Sequence, residues 1–223
     1  MIKAILFDFD ETLVSVRDAN YKAYQQALRL YQVESENSEE LFDQIWYRNI
    51  SDRDAINQIT SDEHFIMKIQ KTFSDYYQEH HLEHIRVFPS IIDLLETLYS
   101  KEIKMGIVSL KPRHNGEKEL KAGKLDKFFD VVIWGDDFSK PKPNIEVCNY
   151  ALEKLKIDCS NTLICGDGPD DVAMGQIAAI ATVGVLWGNT NKELLIKSNP
   201  THLCHKPQEI LQIISNQTPY SSL

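Results

Sequence analysis

The chain has 223 residues, 43% of them hydrophobic and 26% charged, enough apolar material for one good core and a smaller second unit. Lys and Arg total 24 against 33 Asp and Glu, a formal net charge of -9. That balance argues against nucleic acid or an anionic membrane surface as a partner, and any phosphate chemistry would need a local cation.

The first predicted element is a short apolar run over 4–7, rich in Ile and Phe, which reads as a strand buried on both faces. It stops at Asp8. Side chains alternate along a strand, so Asp8 and Asp10 point the same way and Phe9 the other. Two carboxylates on one side repel unless a cation lies between them or one holds a proton. A bland alternative makes Asp10 or Thr12 a turn or helix cap.

Apolar residues then recur at helical spacing over 18–31, and a second helix is expected after Ser38, with Leu41, Ile45 and Trp46 following. A short third helix is expected over 52–59 and a fourth over 62–81, with Phe65, Ile66, Ile69, Phe73, Tyr76 and Tyr77 on one side. Residues 15–84 therefore read as all-helical. From Phe88 the character changes. A helix through Leu94, Leu95 and Leu98 precedes a strand over 104–109, a helix over 115–125 and a strand over 128–134. Pro141 and Pro143 punctuate a loop, and a helix runs from Asn144 to Leu155. A strand over 162–165, a helix over 172–179 and a final strand over 181–186 follow, with helices near Glu193 and Glu209. Strands alternating with helices imply a parallel sheet with right-handed crossovers.

Cys148, Cys159, Cys165 and Cys204 show no C-x-x-C spacing, which points away from zinc and redox motifs and fits a reducing cytosol. The N-terminal residues do not resemble a signal peptide, no apolar stretch approaches a membrane span, and a cytoplasmic location is expected.

Polar groups cluster where strands end: Asp8 and Asp10 at the first, Ser109 at the second, and Asp167 to Asp171 at the fourth, with Lys140 and Lys142 on the preceding loop. In open α/β sheets ligands bind at the carboxyl ends of the strands. Carboxylates from two strand ends suit Mg²⁺, and a hydroxyl and an ammonium suit phosphoryl oxygens.

These motifs resemble those of the haloacid dehalogenase-like hydrolases: Asp8-Phe9-Asp10-Glu11-Thr12-Leu13, Ser109, Lys140 followed by Pro-x-Pro, and Gly166-Asp167-x-x-x-Asp171, in that order. The likeness is greatest to the branch containing phosphoglycolate phosphatase and β-phosphoglucomutase. It implies an α/β fold with a Rossmann-like parallel core over 1–14 and 85–223 and an inserted all-helical cap over 15–84. It also implies a Mg²⁺-dependent phosphatase acting on a small phosphorylated metabolite, as monomer or dimer; a phosphomutase is the alternative, and a catalytically silent binding protein a third reading. By the same resemblance Asp8 is the nucleophile and Asp10 the acid and base. Asp8, Asp10 (through its carbonyl), Asp167 and Asp171 hold the metal, while Ser109, Lys140 and Thr12 bind phosphate. Lys142 is the rival to Lys140. Two positions depart from the family pattern: Leu110 stands where Asn usually follows the second motif, and Glu11 where Gly is frequent. Arg17, Arg48 and Arg53 are the cap's possible anion ligands, each equally readable as a solvated helix-face arginine.

Overall fold

The structure, a computed structural model, describes residues 1–31, 42, 57, 61–140, 142–188 and 191–216. Apart from Phe42 and Asn57, the expected second and third helices, with Arg48 and Arg53, lie outside the described residues, as do Pro141 and the C-terminal tail. The chain divides into two compact units. One comprises Met1–Ser15, Val87–Gly188 and Lys192–Leu223, the other Val16–Arg86 and Asn189–Asn191.

The larger unit is built on a six-stranded parallel sheet. Its strands are β1 (Ala4–Phe7), β4 (Lys104–Val108), β5 (Val131–Ile133), β6 (Thr162–Gly166), β7 (Ala181–Val185) and β8 (His202–Cys204), in the order β5-β4-β1-β6-β7-β8. Every residue of β1 and β6 is buried, which is why both sequences read as continuous apolar runs and not as alternating ones. Ala4 pairs with Lys104 on one side and Thr162 on the other, and Phe7 with Ile107 and Cys165. The chain works outward from β1 through β4 to β5, then returns to β6 on the other flank. The order therefore reverses beside β1, and such a switch point opens a crevice at the carboxyl ends.

The helices of this unit are α3 (Ile91–Ser100), α4 (Arg113–Ala122), α5 (Ile145–Leu155), α6 (Pro169–Ala178), α7 (Lys192–Lys197) and α8 (Glu209–Asn216). One core cluster joins Ala4, Leu6, Val108 and Ile164 of the sheet to Val147, Cys148, Ala151 and Met174 of α5 and α6. At the 2.4 Å that a Cβ on Gly116 would leave to the Trp134 ring, only glycine lets α4 lie so close to that indole. A short sheet, β2 (Val14–Ser15) with β3 (Arg86–Val87), forms where the chain passes between the units.

In the smaller unit, α1 (Arg17–Leu30) packs on α2 (Glu63–His84) through Ala27, Ile66 and Ile69, flanked by Tyr31, Phe65 and Phe73. Asp62 caps α2 by accepting from the His64 and Phe65 amides at 2.9 and 3.3 Å. The helix extends past the expected end to His84. On its inner side His81 is buried, its Nδ1 2.7 Å from the Tyr77 carbonyl.

Three differences from the sequence expectation have identifiable causes. The strand expected over 128–134 shortens to β5, because a 3₁₀ turn at Asp126–Phe128 takes its first residue. The strand at 181–186 is not the last: β8 adds a sixth, pairing Leu203 with Gly184. Three residues, His-Leu-Cys, carry no periodicity, so only pairing to β7 reveals this strand. The helix expected from 115 begins at Arg113, straight after Pro112.

Candidate active site

The parallel register fixes the site. Asp8 follows β1, and its amide donates to the Cys165 carbonyl at 2.8 Å, which sets it beside the end of β6. Asp167 is the residue after β6. Asp171 lies in the first turn of α6, where its Oδ2 accepts from the Gly168 amide at 3.1 Å and so also caps that helix. The approach is close: a Cβ on Gly166 would come within 2.1 Å of Asp171 Oδ2, so that strand end tolerates only glycine. Asp8, Asp167 and Asp171 are all buried, and one carboxylate oxygen of each lies within 4.8 Å of the others.

Among the described residues, one ammonium reaches into this group. Lys142 Nζ is 2.5 Å from Asp8 Oδ1, 2.8 Å from Asp171 Oδ1 and 3.4 Å from Asp170 Oδ2. Thr12, fully buried, places its hydroxyl 3.1 Å from Asp167 Oδ1 and 3.4 Å from Asp8 Oδ2. A hydroxyl has one proton to donate, so it serves Asp167 first. The Thr12 carbonyl accepts from the Trp187 indole at 2.9 Å, which ties the turn after β1 to the segment after β7.

The charges do not balance. Burial holds the Asp8 carboxyl above its ordinary value, Lys142 pulls it back, and Asp170 and Asp10 push it up again. Asp167 is held well above the carboxylate range by burial first, then by Asp8, Asp171 and Glu11. Asp171 is likewise held well above it by burial, against the pull of Lys142. For Lys142, burial lowers the value, and Asp171, Asp8 and Asp170 more than reverse this, so it stays protonated. Among the described residues the cluster is short of positive charge. An oxygen-only set of buried carboxylates in this condition fits a hard divalent cation such as Mg²⁺.

Ser109 is buried just beyond β4, its Oγ accepting from the Lys111 amide at 3.2 Å. Asp10 is the open member, with a side chain 34% exposed and both oxygens on Lys111 Nζ, at 2.8 and 3.1 Å. Glu11 takes up a left-handed backbone, φ 55, with its side chain buried. That conformation favours glycine, which gives the frequent glycine of the resembled motif its physical reason.

The expectation for the lysine needs correction. Lys140 is exposed, and its carbonyl accepts from the Asn144 side chain at 2.7 Å; the lysine among the carboxylates is Lys142. Asn144 explains the difference. Its side-chain oxygen caps α5 at the Glu146 amide (3.0 Å) while its nitrogen holds Lys140, leaving Lys142 as the lysine just before the helix. Thr12, expected on phosphate, directs its hydroxyl to carboxylates. Lys111 and Glu119 were not anticipated; an ammonium beside Asp10 leaves no trace in local patterning.

Comparison with known proteins identifies the family of the chain. Residues 5–185 match the family described as haloacid dehalogenase-like hydrolase. The chain is 29% identical over 215 residues to pyrophosphatase PpaX of Oceanobacillus iheyensis, covering 96% of this chain and 98% of that protein. Among solved structures, a putative phosphatase from Clostridium difficile superposes with a TM-score of 0.86 at 20% identity, covering 96% of this chain and 98% of that one. A putative β-phosphoglucomutase from Thermotoga maritima gives 0.80 at 21% identity, over 97% and 100% of the two chains. A parallel sheet whose reversal point carries Asp8 and Asp167, together with a match over most of the sequence, makes this chain a member of the haloacid dehalogenase-like hydrolase family.

Proposed function

We propose that the protein is a Mg²⁺-dependent phosphatase that works through an aspartyl-phosphate on Asp8, with pyrophosphate or a small phosphate ester as substrate. The observation that carries this reading is the cluster of Asp8, Asp167 and Asp171 beside the Lys142 ammonium, at the strand ends where ligands bind in such sheets. Pyrophosphate stands first among substrates because PpaX, a pyrophosphatase by name, is similar over nearly the whole chain.

In this reading an Asp8 carboxylate oxygen attacks phosphorus, and the bond from phosphorus to the leaving oxygen breaks. Asp10 supplies the proton that the departing oxygen takes up. A water, deprotonated by Asp10, then attacks the same phosphorus, releasing inorganic phosphate and restoring the Asp8 carboxylate. Lys142 holds the nucleophile and offsets charge on the transferring group, with Ser109 as a further donor. Thr12 holds Asp167 and borders Asp8, so it orients carboxylates and does not itself grip phosphate. The carboxylates of Asp8, Asp167 and Asp171 and the Asp10 carbonyl would hold Mg²⁺, which supplies charge neutralisation for the phosphoryl oxygens.

The test is release of inorganic phosphate from a panel of pyrophosphate, sugar phosphates, phosphoglycolate and p-nitrophenyl phosphate, with Mg²⁺ or EDTA. Wild-type turnover with Mg²⁺, none with EDTA and none by Asp8→Asn is the expected result. Phosphate migration on a sugar without release, or full activity in Asp8→Asn, would refute the proposal.

A further inference from the structure

A second buried ion cluster lies beside the first. Lys111 comes shortly after β4, and its side chain is only 4% exposed. Besides the two Asp10 oxygens, its Nζ meets Glu119 Oε2 at 2.9 Å, and Glu119, on α4, is wholly buried. The Lys111 backbone is fixed at both ends: its amide donates to Ser109 Oγ at 3.2 Å, and its carbonyl accepts from the Gly135 amide at 2.9 Å. Taking an ammonium and a carboxylate out of water is costly, and apolar residues commonly fill such a place at no loss of stability. What distinguishes this pair is its reach: it ends on Asp10, the most open acid of the site.

Asp10 needs such a support. It stands on the turn after β1, next to the left-handed Glu11, with a single bridge to Val14. A half-open carboxylate there would sample several rotamers. Held through both oxygens by one ammonium that is itself anchored in the core, it keeps one. We propose that Lys111, held in place by Glu119, is a positioning residue that aims the Asp10 carboxyl at the leaving-group oxygen. The inference rests on the acid role given to Asp10 above.

A misaimed acid is felt in proportion to the need for its proton. An alkoxide leaves poorly without one; p-nitrophenolate does not need it. A displacement of about 1 Å can cost ~10²-fold, and general acid help is worth ~10²–10⁴-fold. The experiment is single-turnover release of alcohol from an alkyl phosphate and of p-nitrophenolate from p-nitrophenyl phosphate, in the full chain with Mg²⁺. Lys111→Met is expected to slow the alkyl reaction by about 10- to 100-fold and the nitrophenyl reaction by less than about threefold. Lys111→Met takes the ammonium from beside the buried Glu119, so Lys111→Met/Glu119→Met, which removes both charges together, carries the same test where the single variant does not fold. Equal losses on the two substrates in a variant with a normal melting transition, or no loss on either, overturn the inference. Asp10→Asn, measured alongside, separates the layers. If it shows the split while the Lys111 variants do not, only the positioning role falls. If it too shows equal losses, the acid role falls and the positioning role with it.

Discussion

Replacing Lys142 by Met tests the site most directly, because it sets the position chosen by the fold against the one suggested by the motif. The side chain of Lys142 is 3% exposed and those of Asp8 and Asp171 are 8% and 3%, so the variant strands two buried carboxylates. Breaking a buried pair by removing one partner costs about 3–5 kcal/mol. At roughly 2–4 °C per kcal/mol for a domain of this size, the metal-free melting temperature should fall by about 6–20 °C. The loss has a pH signature. Asp8 and Asp171 already sit above their ordinary values, and without the ammonium they rise further, so protonation relieves the strain in acid. The difference from wild type should therefore be largest near pH 8 and shrink toward pH 5. Turnover should drop by about 10²–10³-fold or more, as for loss of a preorganised charge partner. Lys140→Met, at an exposed position, should change stability by no more than about 0.5 kcal/mol and leave most of the activity. Differential scanning fluorimetry at three pH values, with phosphate release on the same samples, reads both. A Lys140 variant that loses as much activity as the Lys142 variant, or a Lys142 variant that melts with the wild type across the pH range, would refute the reasoning.

Other consequences can be measured on the same preparations. Asp8, Asp167 and Asp171 keep protons in the folded protein that the unfolded chain gives up above about pH 4, so their contribution to stability is full at low pH and lost as pH rises through their folded values. Mg²⁺ takes the deprotonated form, so its stabilising shift in melting temperature should be larger at pH 8 than at pH 5.5; the reverse order would remove these residues as ligands. Glu11→Gly relieves a left-handed conformation that costs an ordinary residue roughly 1–2 kcal/mol, so the variant should melt no lower than wild type, and a fall of several degrees would show that the buried carboxylate matters more than the backbone. Gly116→Ala forces a methyl against the Trp134 ring and should cost about 1–3 kcal/mol by denaturant melting; a neutral result would mean that α4 shifts freely against the Trp134 ring. Burial pushes the Cys148 and Cys204 thiols up to about 11 and Cys165 well above its ordinary value, so at pH 8 an aromatic disulfide reagent should label none of these three quickly without denaturant. Cys159, half-buried, is then the thiol expected to react first, and rapid labelling at Cys165 would contradict the buried β6.

Sequence alone determined the elements whose information is local. The apolar runs of β1 and β6 announce strands buried on both faces, and an acid directly after each announces the ligand edge, so Asp8 and Asp167 were readable before any coordinates. The helical period placed α1 and α2, and Asn144 read as a helix start because a cap is a short-range device. Tertiary structure alone decided what depends on pairing between distant segments. β8 is a strand only because β7 offers it an edge. Lys140 and Lys142 are indistinguishable in a Lys-Pro-Lys-Pro loop until Asn144 and the start of α5 turn one outward and the other toward Asp8 and Asp171. The triad Lys111, Asp10 and Glu119 joins the segments after β1 and β4 to α4, which no spacing rule connects. A residue's propensity and its place in a periodic pattern depend on its neighbours in the chain; burial of a charge and the partner that offsets it depend on which strand ends the sheet order brings together.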